Sequence, residues 1–416
     1  YKRQEQMDAT KRIMVAPINK KPGIIHPDYM LLTPELNWYP VAGVGFNLVT
    51  FQPREPDFTR FSLTVRSDST ITAIAPGNVS EDEEGIHFSP EHDLNAFSLV
   101  LAPLERRSME IDGVEYNLYL DPDHDYFSEY FTNIQDTIRA LITEAKDDWE
   151  LDELDLYYAF DRINLVEVPI QFHAYERPYM QTVENILPEM ILLPEKGAGL
   201  STLDFRRFKK VSENRNRRDE DNRSPREIET DMFKRLLQNT FFRTEIQSRG
   251  RGGPGGGGGG EELITFQGDV SYSKNPYCVF PLYYSYVTGI SSVDYPVFNS
   301  MLEIYLKEGF EVSPREGFSG GITDKERANL LLSRKSMGVW FARWDTERTS
   351  SLINQSGSFI ISALKNMVGM GDFAYFFYYY LEDHGFSEIT FVQCSADFLR
   401  EFGVEIAPYL EVINAG

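Results

Sequence analysis

Histidine is scarce in this chain, cysteine scarcer, and neither is spaced for the commonest metal chemistry. The six histidines stand at positions 26, 87, 92, 124, 173 and 384, and none has a second histidine four residues on. Two imidazoles one helical turn apart are the usual way for a short segment to grip zinc, so that route is closed. The two cysteines, Cys278 and Cys394, are too few for a disulfide framework. They can form one bridge or stay as two buried thiols, and buried thiols are the expectation. No apolar run reaches the roughly eighteen residues that a membrane helix needs, and no signal peptide is visible. Cationic charge is also short: 41 Lys and Arg face 64 Asp and Glu, a formal net charge of −23. That excludes phosphate-driven binding of nucleic acid and flat docking on an anionic membrane, and it implies a solvated acidic exterior. There is no Gly-x-Ser-x-Gly elbow, and neither cysteine stands in the context of a Cys/His pair. Chance carboxylate pairs are too common in so acidic a chain to point anywhere. His173 near Glu176 reads as a structural histidine at a strand end rather than an acid–base pair.

Apolar residues, by contrast, are plentiful. With 416 residues, 42% of them hydrophobic and 13% aromatic, the chain can bury two or three cores. Residues 1–30, with Pro17, Pro22 and Pro27, read as an extended arm or linker. The chain starts at Tyr1 without Met, as a cut-out piece or a mature form would. Residues 31–120 alternate with a period of two (Phe61, Leu63, Val65; Phe97, Leu99, Leu101) between Pro-Gly and Asp-Gly turn signals at 76–77 and 112–113, which predicts a β-rich domain. Beyond, over 121–416, helical spacing dominates. Phe127, Tyr130, Ile134, Ile138, Leu141 and Ile142 predict a helix from 127 to about 147. Strands are expected over 163–170 and 189–194, and helices over 227–242, 358–368, 372–382, 397–402 and 407–413. The aromatic run 372–382 reads as core. The mixed-charge run 206–227 reads as an exposed loop. The glycine run within 249–262 lacks the Lys-Ser/Thr of a phosphate loop and reads as a flexible surface loop, natural or engineered. Flexible insertions are therefore expected at 200–226 and 249–262.

Three short islands carry a resemblance. The first is LVEVPIQFHAYERPYMQTVENILPEMILLPE over 165–195, in which Val183-Glu184-Asn185 lies between two strands. Tyr305-Leu-Lys-Glu-Gly-Phe310 is the second, and Trp38-Tyr39-Pro40 the third. These resemble the gluzincin zinc aminopeptidases: a Val-x-x-Pro strand before Met-Glu-Asn, then Leu-Asn-Glu-Gly-Phe, and the Trp-x-Pro of the amino-terminal β domain. The end of the chain agrees in order, from Gly357 through LKNMVGMGDF to Asp397-Phe398. The resemblance implies an α+β fold in which a β-rich amino-terminal domain precedes a thermolysin-like α+β domain with a helical carboxy-terminal part. It implies that Glu184, with Asn185, stands where the family grips the free amino terminus of a peptide. It makes Glu308 the relic of the third zinc ligand.

The departures are as informative. Counting back eighteen residues from Glu308 puts His-Glu-x-x-His at 285–289, where this chain has Ser285-Tyr286-Val287-Thr288-Gly289. Both histidines are replaced, by Ser285 and Gly289, and the general base by Tyr286. No histidine stands between His173 and His384, so no alternative alignment restores the site. The family's transition-state tyrosine falls on Asn354. No metal and no cofactor are therefore expected, and no catalytic residue. Glu184 and Glu308 can equally be ordinary acids without a ligand. The resulting expectation is a non-catalytic pseudo-peptidase that binds a peptide or protein partner and no nucleic acid. Degenerate domains of this kind occur as extracytoplasmic parts of bacterial ABC-transporter permeases. That context implies the periplasmic face of the inner membrane and transmembrane and ATPase partner subunits, with any membrane segment outside this chain. An enzyme with metal-independent or unrecognised hydrolase chemistry is one alternative. The other is a purely structural spacer whose cleft its own side chains fill.

Overall fold

The computed structural model describes residues 23–41, 57–125, 127–150, 157–169, 186–194, 205–217, 223–241, 244–248, 264–268, 272–273, 286–292, 294–295, 298–308, 311–312 and 346–415. Strand β1 (Ile24–His26) turns back through Pro27-Asp28 onto β2 (Tyr29–Leu32). The arm expected over 1–30 is thus already sheet at Ile24. Next come β3 (Leu63–Val65), β4 (Thr72–Ile74), β5 (Asn78–Asp82), β6 (Gly85–Ser89) and β7 (Leu99–Ala102). They form two antiparallel sheets, ordered β1-β2-β7-β4 and β3-β6-β5. β7 lies between β2 and β4, and Leu99, Val100 and Ala102 are all buried there, so its period of two blurs. Phe61 stacks on Phe97 with centroids 4.7 Å apart, and Tyr39 meets Phe61 edge-on at 5.2 Å. The Tyr39 hydroxyl accepts the Phe97 N–H at 3.1 Å. Gly77, the glycine of the Pro-Gly turn, has φ of +105°, and a Cβ there would come within 2.3 Å of the Pro90 nitrogen. Only glycine fits that turn.

Strands β8 (Glu105–Ile111) and β9 (Val114–Leu120) form a two-residue hairpin at Asp112-Gly113. Both turn residues have positive φ, 47° and 80°, which is the type I′ geometry that matches the strand twist. β9 pairs in parallel with β10 (Arg162–Val168), and β10 in parallel with β12 (Met190–Pro194), while β11 (Ile186–Leu187) closes the edge antiparallel. The sheet order is β11-β12-β10-β9-β8. Residues 105–120 thus hydrogen-bond into the same sheet as 162–194, across the division expected at 120/121.

Between β9 and β10 runs α1 (Ile138–Glu150). The helix expected from Phe127 begins only at Ile138. The buried Glu229 carboxylate explains the delay, since it accepts the backbone N–H and the side-chain amide of Asn133, each at 2.5 Å. A backbone donor held by a side chain does not enter a helical ladder.

The mixed-charge run is also corrected: α2 (Phe205–Arg217) is a helix there. Its Arg, Lys and Glu are good helix formers, and Phe205, Phe208 and Ser212 give it an inner face. After it, α3 (Pro225–Phe241) opens with a capping box: Ser224 N–H donates to Glu227 Oε2 at 2.6 Å and Glu227 N–H donates to Ser224 Oγ at 3.3 Å. The glycine insertion at 249–262 lies outside the described residues.

The remaining strands are β13 (Thr244–Ser248), β14 (Ile264–Gly268), β15 (Tyr272–Ser273), β16 (Thr288–Ser291), β17 (Glu311–Val312) and β18 (Ser387–Thr390), paired as β13-β14, β15-β17 and β16-β18. Around them lie α4 (Phe298–Glu308), α5 (Thr346–Val368), α6 (Met370–Asp383), α7 (Phe391–Phe402) and α8 (Ala407–Ala415). The inner face of α6 is core, as expected: Phe373 and Phe377 are buried, and Phe373 meets Tyr305 of α4 edge-on at 5.1 Å. The molecule is thus mixed α+β, with a β-rich amino-terminal region and a helical carboxy-terminal part. Among the described residues no helix is long and apolar enough to cross a membrane.

Candidate functional site

Of the residues singled out from the sequence, Glu184, Asn185 and Ser285 lie outside the described residues, as do His173 and Cys278. Tyr286, Gly289 and the backbone of Glu308 are described. Tyr286 is 2% exposed, and its hydroxyl donates to the carbonyl of Ile186 at 2.7 Å. That bond brings the segment counted back from Glu308 against the residue next after Asn185. Gly289 is buried in β16, opposite Glu388 of the parallel strand β18. Glu308 is the last residue of α4, which packs along α5; Met301 and Leu302 of α4 and Leu352 and Ile360 of α5 are buried.

The local structure at 286–291 differs from what a zinc motif requires. His-Glu-x-x-His works because residues four apart on a helix share a face. Here Thr288–Ser291 is a strand. Val287, Thr288 and Ile290 are β-branched, and Asn299 of α4 fastens the backbone: its Oδ1 accepts the Ile290 N–H at 3.0 Å and its Nδ2 donates to the Ile290 carbonyl at 2.9 Å. The buried Thr288 hydroxyl has no hydrogen-bond partner among the described residues. Residues 286–291 include no His, Cys, Asp or Glu, and the Tyr286 hydroxyl donates its proton to a backbone carbonyl. Among the described residues no group of three His, Cys, Asp or Glu side chains is placed to hold a metal. Asn354, at the place of the transition-state tyrosine, lies within α5.

Besides Glu229, sequence reading missed two further buried carboxylates. Glu167 is 5% exposed near the carboxyl end of β10. One of its oxygens meets His124 Nδ1 at 2.7 Å, the other accepts the Asp121 N–H at 2.8 Å, and its carbonyl accepts the Tyr29 hydroxyl at 2.6 Å. The signal was an acid between Val166 and Val168 in an apolar strand. Glu189, at positive φ of 54°, accepts the Gly77 N–H at 2.9 Å and lies 3.6 Å from the Arg162 guanidinium. Burial pushes its carboxyl above the ordinary range, against the pull of Gly77 and Arg162. The Arg162 contact exceeds hydrogen-bonding distance, so desolvation prevails. The Glu189 carboxylate, through Gly77, and the Glu167 carbonyl, through Tyr29, tie the β-rich region to the parallel sheet.

No family model and no curated protein matches the chain. Among solved structures its neighbours are M1 zinc aminopeptidases at low identity. A two-domain M1 zinc metallopeptidase variant bound to L-arginine is similar over 96% of this chain and 73% of its own, at 13% identity and a TM-score of 0.45. Aminopeptidase A of Legionella pneumophila, in complex with aspartic acid, is similar over 95% of this chain and 39% of its own, at 10% identity and a TM-score of 0.44. An M1 zinc metallopeptidase variant from Deinococcus radiodurans, bound to a Tyr-Ser-Ala substrate, is similar over 86% and 64%, at 13% identity and a TM-score of 0.40. The chain thus spans under two thirds of the length of the last two.

Proposed function

We propose that this chain is a non-catalytic, aminopeptidase-like domain that binds a peptide or protein partner, on the extracytoplasmic side of a membrane complex of the ABC-transporter permease kind. The observation that carries the loss of catalysis is Tyr286. At the place of a general-base glutamate stands a phenol shut in the core and bonded to the Ile186 carbonyl. A base must reach the water it activates and be able to take its proton, and a buried phenol donating to a backbone carbonyl does neither. The histidine-free stretch from 174 to 383 removes the metal ligands as well. The membrane context rests on the sequence resemblance alone.

The same phenol favours a second reading, a structural spacer, because it fills with protein a place where the family keeps its chemistry. Elemental analysis and aminoacyl reporter substrates test the first half of the proposal. The purified chain should carry no stoichiometric zinc and hydrolyse no reporter, with or without added metal. One tightly held zinc per chain, or metal-dependent turnover, would overturn it. Binding of peptides with free amino termini separates the interaction domain from the spacer, and hydrophobic segments flanking the chain in its gene test the membrane context.

A further inference from the structure

Eleven large hydrophobic side chains are exposed among the described residues, and five of them (Phe359, Met367, Met370, Tyr375 and Tyr379) lie on α5 and α6. The α6 pair is the most organised. Tyr375 and Tyr379 stand one turn apart, 65% and 41% exposed, with ring centroids 4.4 Å apart and planes at 62°. Their neighbours on that face are acids. Asp372 lies three residues before Tyr375 and Glu382 three after Tyr379, both exposed, so all four side chains share one side of the helix. The opposite side, Phe373, Phe377, Tyr380 and Leu381, is core and already fixes the helix in place. Folding therefore does not require the outer tyrosines. Two exposed, mutually angled π faces with a carboxylate at each end attract a cation, and a planar guanidinium can stack on the rings while reaching the acids.

We propose that the outer face of α6, centred on Tyr375 and Tyr379 between Asp372 and Glu382, docks an arginine-bearing segment of a protein partner. Charge complementarity selects that occupant: the face is acidic and aromatic and the chain carries −23 overall, which repels an anionic membrane and a second copy alike. The inference deepens the interaction-domain reading by naming a surface and a partner chemistry.

Fluorescence anisotropy with a dye-labelled peptide of alternating arginine and glycine tests it, with the glutamate-for-arginine peptide as control. Replacing both tyrosines by alanine (Y375A with Y379A) should weaken the arginine peptide about tenfold. Replacing both by phenylalanine should change it by no more than about twofold, because the π faces remain. Asp372→Asn with Glu382→Gln should weaken it and flatten its salt dependence. Equal binding by the alanine variant would assign the attraction to general acidity and overturn the site. Equal binding of the glutamate peptide would also overturn it. So would sedimentation showing a dimer that the alanine variant abolishes, since the occupant would then be a second copy. Stoichiometric zinc or turnover would sink the non-catalytic reading but leave these titrations interpretable, so the two can fail separately.

Discussion

The Tyr286 hydroxyl and the Ile186 carbonyl, 2.7 Å apart across 100 residues of sequence, join the start of β16 to the edge strand β11. The bond is buried, and the carbonyl it satisfies lies one residue beyond Asn185. Tyr286→Phe removes the hydroxyl that donates to this carbonyl while keeping the ring. Loss of a buried hydrogen bond costs about 0.5–1.5 kcal/mol, which urea denaturation should read as a lower midpoint with unchanged slope. An unchanged midpoint would mean that another donor or water meets the carbonyl, and that this bond does not hold the two segments together.

A second prediction follows from the strand at 288–291. Restoring the metal ligands by Ser285→His with Gly289→His should give no tight zinc site. Gly289 lies in β16, in parallel register with Glu388, and not in a helix, which is what sets residues four apart on one face. Zinc titration of the folded variant against a chromophoric chelator measures this. Tight one-to-one binding would place 285–289 in a helix.

These two predictions mark where the sequence was legible. The strands at 162–168 and 190–194 were readable from their short apolar runs, and α3 from apolar periodicity; Ser224-Pro-Arg-Glu227 closes a capping box at its start. Two features were not. The strand at β16 depends on Asn299 and on β18, which come later in the chain and meet it only in the fold. The helix at Phe205–Arg217 hides in a charge run whose apolar side is just Phe205 and Phe208, too thin for a periodicity count. Of the candidate site, the lack of two histidines four residues apart was plain from the sequence. The place of Tyr286 was not, because burial of one phenol is a tertiary fact.

The third prediction concerns pH. Glu189 has its carboxyl raised by burial, so the folded chain holds that proton more tightly than the unfolded one. The group's contribution to stability is therefore greatest at low pH and declines as pH rises through the window above its ordinary value of 4.5. The stability difference between wild type and Glu189→Gln, by chemical denaturation, should shift toward the wild type as pH falls from neutrality into that window. A difference that shifts the other way would mean that Arg162 and Gly77 outweigh desolvation.

Cys394 supplies the fourth. It is fully buried in α7, and burial pushes its thiol up to about 12. The thiolate is the reactive form, so at mildly alkaline pH the folded chain should leave Cys394 unalkylated by iodoacetamide. Peptide mass spectrometry should find the label there only after denaturation. Rapid labelling in the native state would show that α7 opens locally.

The last prediction tests whether the cleft kept its grip on a peptide terminus. Glu184 is the residue to which the aminopeptidase resemblance gives that role, and the Tyr286–Ile186 bond fastens the chain two residues after it. A free-amino-terminus peptide selected for binding should be weakened by Glu184→Gln. Acetylating the peptide should weaken it by a similar factor. A partly desolvated ion pair loses roughly 2–5 kcal/mol when one partner is truncated, whereas an exposed one is worth about 1 kcal/mol or less, so the size of the loss also reports how closed the site is. The two changes remove one interaction, so together they should cost no more than either alone. Tyr286→Phe should weaken the same peptide less than Glu184→Gln, because it loosens the segment without removing the charge. Acetylation without effect would make Glu184 an ordinary surface acid and leave the spacer as the better reading of this part of the fold.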